Sequence, residues 1–122
     1  MFIHLQHQKL RVYIASRKLI GECYRFTLTL PPEEKFALAS QIRRASVSVQ
    51  LNIAEGASRF SKVERKRFYE IARGSVIEID AAFDIAEELG YFESYPKQSL
   101  HEAMNDSFSL ITGLINSQSA ST

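Results

Sequence analysis

The 122-residue chain has one cysteine, no tryptophan, three prolines and five glycines. Cys23 alone can form neither an internal disulfide nor a cysteine-based zinc site. There is no charged N-terminal region followed by a long apolar stretch and a cleavage signal, so a cytoplasmic setting is expected. No apolar run approaches the roughly 18 residues that span a bilayer, so no membrane partner is expected. So little glycine and proline excludes collagen-like and low-complexity chains, and 45% hydrophobic against 24% charged residues excludes a wholly disordered one. An excess of one charge is missing too, the net value being +1. That total conceals a segregation: residues 1–75 carry 14 Lys/Arg against 6 Asp/Glu, whereas residues 76–122 carry 1 against 8.

What is present is helical periodicity in a chain long enough for one domain, residues 1–122, with its own core. Val12, Ser16, Leu19, Cys23, Phe26 and Leu30 fall on one helical stripe that ends before Pro31-Pro32. Pro32, with Glu33 and Glu34 behind it, suits the start of a second helix, and Gly56 is its expected C-cap. Ser61 and Glu64 have capping-box spacing ahead of the stripe Phe68, Ala72, Ser75, Ile79, Ala82, Ala86 and Leu89. Gly90 closes that helix, with Tyr91 and Phe92 placed to pack back. Pro96 can open a fourth, with Leu100, Met104, Phe108, Ile111 and Ile115 on one face. The prediction is helices over about 5–30, 32–55, 61–90 and 96–116 with a frayed tail at 117–122. Period-2 strand patterns are lacking and the connections are short, so an all-α, antiparallel up-down-up-down four-helix bundle is expected.

The helices carry more apolar surface than one bundle needs. Beside its seam of Leu38, Ile42, Val49 and Ile53, helix 2 has a second arc of Phe36, Val47, Leu51 and Ala54. Helix 3 has Val76 and Phe83 on one flank of its seam and Ile71 and Ile85 on the other. A homo-oligomer covering Phe36, Val47, Leu51, Ala54, Glu55, Val76 and Phe83 is expected, with irregular monomer packing as the alternative. Opposite the helix 3 seam, Lys62, Lys66 and Arg73 form a basic stripe that continues as Asp80, Asp84 and Glu87. It is either a docking stripe for a neighbour's complementary half or a solvated face.

Leu38-Ala39-Ser40-Gln41-Ile42-Arg43-Arg44-Ala45-Ser46-Val47-Ser48-Val49 and Asn52-Ile53-Ala54-Glu55-Gly56 form one block. Phe68-Tyr69-Glu70-Ile71-Ala72-Arg73-Gly74-Ser75, Glu78 and Glu87-Glu88-Leu89-Gly90-Tyr91-Phe92 form a second. From about Leu10 to Ile115 the chain resembles the bacterial four-helix bundle proteins encoded in intervening sequences of 23S ribosomal RNA genes. It departs at Gln50-Leu51, where the family usually has a proline and a small residue, so helix 2 is expected to be straighter. The resemblance implies a bundle assembling as a homopentamer. The family includes accessory proteins of diversity-generating retroelements, whose basic barrel is associated with nucleic acid and a reverse transcriptase.

Residues 40–75 hold 8 basic and 3 acidic side chains, with Tyr69 among them. Arg43, Arg44, Arg59, Lys62, Arg65, Lys66 and Arg73 are the candidate contacts to RNA or DNA, or to a nucleic-acid enzyme. Arg67 lies off the outward stripe. The alternative is surface charge paired with the acidic half, the chain then being a structural protein-interaction scaffold. Asn52 and Glu55 read as subunit-contact or capping residues, with a ligand site as the alternative, because a carboxylate near a helix C-terminus needs a partner. Asp80, Asp84, Glu87 and Glu88 lack the Glu-x-x-His pattern of di-iron bundles, His4, His7 and His101 do not converge, and Cys23 sits on a core stripe. Phosphate-loop, nucleophile-elbow and zinc-protease motifs are missing. A non-enzymatic chain with no catalytic residue, metal, cofactor or small-molecule substrate is expected.

Overall fold

The structure, a computed structural model, describes residues 2–119. Among them are four α-helices and no strand: α1, Arg11–Thr27; α2, Leu38–Ala57; α3, Lys62–Glu88; and α4, Gln98–Ser119. Short 3-10 turns at Gln6–Lys9 and Pro32–Glu34 precede α1 and α2. Packing joins α1 to α2, α2 to α3, α3 to α4 and α4 back to α1, so each helix lies against two others, as in a bundle. The core is the predicted seams: Val12, Leu19, Cys23 and Phe26; Leu38, Ile42, Val49 and Ile53; Ala72, Ile79 and Ala86; and Leu100, Ile111 and Ile115. Leu89, placed on a seam by periodicity, is instead exposed beyond the end of α3.

Helix ends depart from the predicted ones for local reasons. Leu10 is extended (φ −67°, ψ 137°), which separates the first 3-10 turn from α1 and removes residues 5–10 from the predicted first helix. At its other end the Thr27 and Thr29 hydroxyls donate to the Tyr24 and Phe26 carbonyls, and regular α-helix stops at Thr27. Pro32 opens only a 3-10 turn. Ala37 (φ −122°, ψ −103°) breaks the chain before α2, and Glu34 then supplies the N-terminal carboxylate by accepting the Leu38 N–H. α2 runs without interruption through Gln50-Leu51. α4 begins at Gln98 and stays helical through Ser119, beyond the predicted end at 116; of the expected frayed tail, residues 120–122 lie outside the described residues.

Two glycines serve different purposes. Gly90, at φ 82°, closes α3 as expected, with the Tyr91 N–H donating to the Ala86 carbonyl at 2.9 Å. Phe92 thereby folds back to stack on Phe26, ring centres 4.3 Å apart, while Tyr91 donates its hydroxyl to Glu34. Gly56 is not the C-cap of α2. It lies inside the helix and is buried, and a Cβ there would stand 2.6 Å from Tyr69 Cε1. Its role is close approach of α2 to α3. At the start of α3, Ser61 Oγ accepts the Glu64 N–H, as the capping spacing predicts.

Candidate functional site

The α2 geometry separates Arg43 from Arg44. Arg43 faces α1, its guanidinium 4.8 Å from the centre of the Tyr24 ring and its Nε donating to Thr27 Oγ1 at 2.8 Å. Arg44, one step around the helix, is exposed. Both line a shallow depression with Ser48, Leu51, Asn52, Ser75 and Glu78. Inside it Ser48 Oγ and Ser75 Oγ are 2.9 Å apart, and Asn52 Nδ2 donates to the Ser48 hydroxyl and carbonyl. Asn52 thus ties α2 to the α3 contact from within the chain.

A second basic group gathers where α2 hands over to α3. Arg59 pairs with Glu55 at 2.7 Å and lies 4.9 Å over the Phe68 ring, giving Glu55 the partner that its position near a helix C-terminus demands. Arg65 donates to the Arg59 and Phe60 carbonyls at 2.9 and 2.6 Å and to Gln118 Oε1 at 2.9 Å, bracketing the turn onto α4. Lys62 and Arg67 are exposed and Lys66 is half-buried. Tyr69, the aromatic expected among these charges, is buried against Gly56 and offers no ring to a base. Phe60, at the turn, is fully exposed, at 100%. An unpaired aromatic in a polar turn was its signal in the sequence.

The seven candidate cations do not form one patch. Arg44 stands about 20 Å along α2 from the helix end at Ala57, beyond which Arg59 lies. Arg73 lies on the other flank of α3, its guanidinium 5.1 Å over the Phe108 ring of α4. Asp80, Asp84 and Glu87 follow it on that flank, lining a groove against α4. At 100° per residue the members of the basic-then-acidic stripe stand roughly 80° to 140° from the buried Ile79, so the stripe runs beside the α4 groove, with Lys62, Asp80, Asp84 and Glu87 exposed.

The expected subunit face divides similarly. Val76, 2% exposed, belongs to the chain's own core. Phe83 is half-buried, edge-on to Phe26 and Phe92. α4 and the returning Phe92 cover this flank of α3. The opposite flank stays open, with Ile71 and Ile85 44% and 52% exposed. Phe36 and Leu51 are 88% and 60% exposed, Glu55 is exposed, and Val47 and Ala54 are half-buried. Periodicity identified both flanks of α3, but which one α4 would cover was not legible.

Elsewhere, no three or more His, Cys, Asp or Glu side chains converge to hold a metal among the described residues. Burial pushes the Cys23 thiol up to about 12, with the adjacent Glu22 carboxylate adding to the shift, so no thiolate nucleophile is available near neutral pH. Glu22 itself is buried and paired with Arg25, a carboxylate that hydrophobic patterning alone did not place inside. No described helix is long and apolar enough to cross a membrane.

The geometry defines a class: among the described residues, an all-α chain of four helices packed as in a bundle, with charged and apolar side chains exposed on its surface. The family model of the 23S rRNA-intervening sequence protein matches residues 8–113. The chain belongs to that family. No curated protein matches it.

Proposed function

We propose that the chain is a non-enzymatic, cytoplasmic subunit of a homo-oligomer, an up-down-up-down bundle that engages RNA or DNA, or a nucleic-acid enzyme, through its basic half. Pentameric assembly follows from the family resemblance. The observation that carries the nucleic-acid reading is the basic run 59–67, from the turn after α2 into the first turns of α3, in which Arg59, Lys62, Arg65, Lys66 and Arg67 lie close in sequence to the fully exposed Phe60. Cations that track phosphates beside a ring that stacks on bases are the parts from which single-strand binders are built. Arg44, exposed farther along α2, extends the basic surface. The exposed apolar side chains Leu51 on α2 and Ile71 and Ile85 on α3 support self-association.

A second reading is a protein scaffold without nucleic acid. It is supported by the commitment of Arg43, Arg59, Arg65 and Arg73 to contacts within the chain. Light scattering with and without a mixed RNA and DNA pool, at low and moderate salt, separates the two. A defined oligomer that gains nucleic acid in a salt-sensitive way is expected. An oligomer indifferent to nucleic acid leaves the scaffold, and a stable monomer overturns both.

A further inference from the structure

We infer that the groove between α3 and α4 is a docking site for a cationic amphipathic helix of a partner protein. The groove encloses about 580 Å³ and is partly open to solvent. Its floor is apolar, formed by Val76, Phe83, Phe92, Leu100, Met104 and Phe108. Its α3 wall carries Asp80, Asp84 and Glu87 at successive turns, facing His101 and Asn105 of α4. Three carboxylates meet a single lysine, Lys97, in this lining.

The chain's own cations show how such a trough treats positive charge. At one end Lys97 pairs with Glu87 at 2.6 Å, its ammonium 5.8 Å from the centre of the Phe92 ring. At the other, the Arg73 guanidinium lies over Phe108. Ring faces and carboxylates attract cations together, and partial desolvation strengthens both attractions. Between these two filled ends lies a central stretch with Phe83 and Met104 beneath and the exposed carboxylates Asp80 and Asp84 at the rim. The arrangement is met again by a ligand with an apolar ridge and flanking lysines or arginines.

Length selects a helix as that ligand. From Val76 to Glu87 the groove follows α3 for about 16 Å, or three helical turns. A helix laid along it presents apolar side chains at i, i+3 or i+4, and i+7 to the floor and its neighbouring cations to Asp80 and Asp84. Met104 adapts to the shape of what is inserted. This flank of α3 is distinct from the one that carries Ile71 and Ile85, so the groove does not depend on the surface assigned to self-association.

The test uses the full chain and a fluorescein-labelled helical peptide about three turns long, with leucines at i, i+3 and i+7 and lysines elsewhere. A scrambled peptide of the same composition and a glutamate-for-lysine version serve as comparators. Tight, salt-sensitive binding of the patterned lysine peptide is expected, with the scrambled one about tenfold weaker and the acidic one unbound. Asp80→Asn with Asp84→Asn, both at exposed positions, should weaken it about fivefold while helicity and solution mass stay unchanged. Amide shifts on binding should map to Asp80, Asp84 and Met104. Equal binding of the scrambled peptide, or unchanged affinity in the double variant, overturns the proposal. So does displacement of the peptide by hexylamine at comparable concentration, which reassigns the groove to small organic cations, or release of an oligomer by the peptide, which reassigns it to a second copy.

Discussion

The ring of Tyr69 on α3 occupies the space that a side chain on Gly56 of α2 would need, with Cε1 and Cδ1 2.6 and 2.8 Å from an ideal Cβ at that position. Gly56 has ordinary helical geometry, so its absent Cβ matters here for the distance between two helices. Gly56→Ala should therefore destabilise the chain. Alanine's helix propensity contributes roughly 1 kcal/mol in favour, but overpacking a buried ring against an intact partner helix costs about 1–3 kcal/mol. A net loss of about 1 kcal/mol is expected, lowering the melting temperature by several degrees. Calorimetry of the two chains checks it; a stabilised Gly56→Ala would show that Tyr69 shifts freely.

Patterning located the stripes of all four helices because burial imposes a 3.6-residue period wherever a helix lies on a core. The ends were harder to read. Glu34 acts as the N-terminal carboxylate of α2, as the Pro-Glu-Glu run suggested, yet it does so from before the helix, because the backbone at Ala37 breaks away from helical geometry. Gly56 carried the right residue type for a C-cap and is used for contact instead, since the difference lies in Tyr69, a residue distant in sequence. The candidate site was legible as composition and not as arrangement. Arg43, Arg65 and Arg73 look alike in a charge count, but Tyr24, Gln118 and Phe108 claim them from other helices.

Arg65 and Arg44 should respond differently to charge removal. Arg65→Met deletes hydrogen bonds to two carbonyls and to Gln118, so a loss of about 1–3 kcal/mol of stability is expected. Arg44→Gln, at an exposed position, should leave stability within about 0.5 kcal/mol. If the basic half binds nucleic acid, the same Arg44 change should reduce the salt slope of binding by about one. Denaturant titration and binding at several salt concentrations read both effects. An Arg65→Met chain as stable as the parent would reduce its bracket to a surface contact.

Cys23 makes stability depend on alkaline pH. Its thiol ordinarily ionises near 9.0 and is pushed to about 12 in the folded chain by burial. Above about pH 9 the unfolded chain therefore binds fewer protons than the folded one, so stability falls as pH rises from about 9 towards 12. Below that window the thiol is protonated in both states and contributes no slope. At its steepest the term approaches about 1.4 kcal/mol per pH unit. Tyr69, Tyr91 and Tyr95, also shifted upwards, add to the same alkaline loss. Cys23→Ala should flatten the curve by the thiol's share alone, whatever its packing cost at neutral pH. Parallel profiles for the two chains between pH 8 and 12 would mean that the thiol ionises in the folded state as readily as in the unfolded one.

Leu51 and Val76 were grouped by periodicity as interface residues, and the structure separates them by burial, 60% exposed against 2%. Replacing each by glutamate turns that difference into two outcomes. Val76→Glu places an unpaired carboxylate among Ile79, Phe83 and the α4 floor, a loss large enough to unfold a marginally stable chain. Leu51→Glu leaves the core untouched, so helicity and melting should stay close to those of an isolated parent subunit. Its effect should fall on association, because an exposed apolar position would then carry a charge that a neighbouring copy must desolvate. Sedimentation should show the oligomer reduced to smaller species for Leu51→Glu at a concentration where the parent remains assembled. An unchanged mass would remove α2's outer face from the assembly, and Ile85→Glu would then test whether the open flank of α3 serves alone.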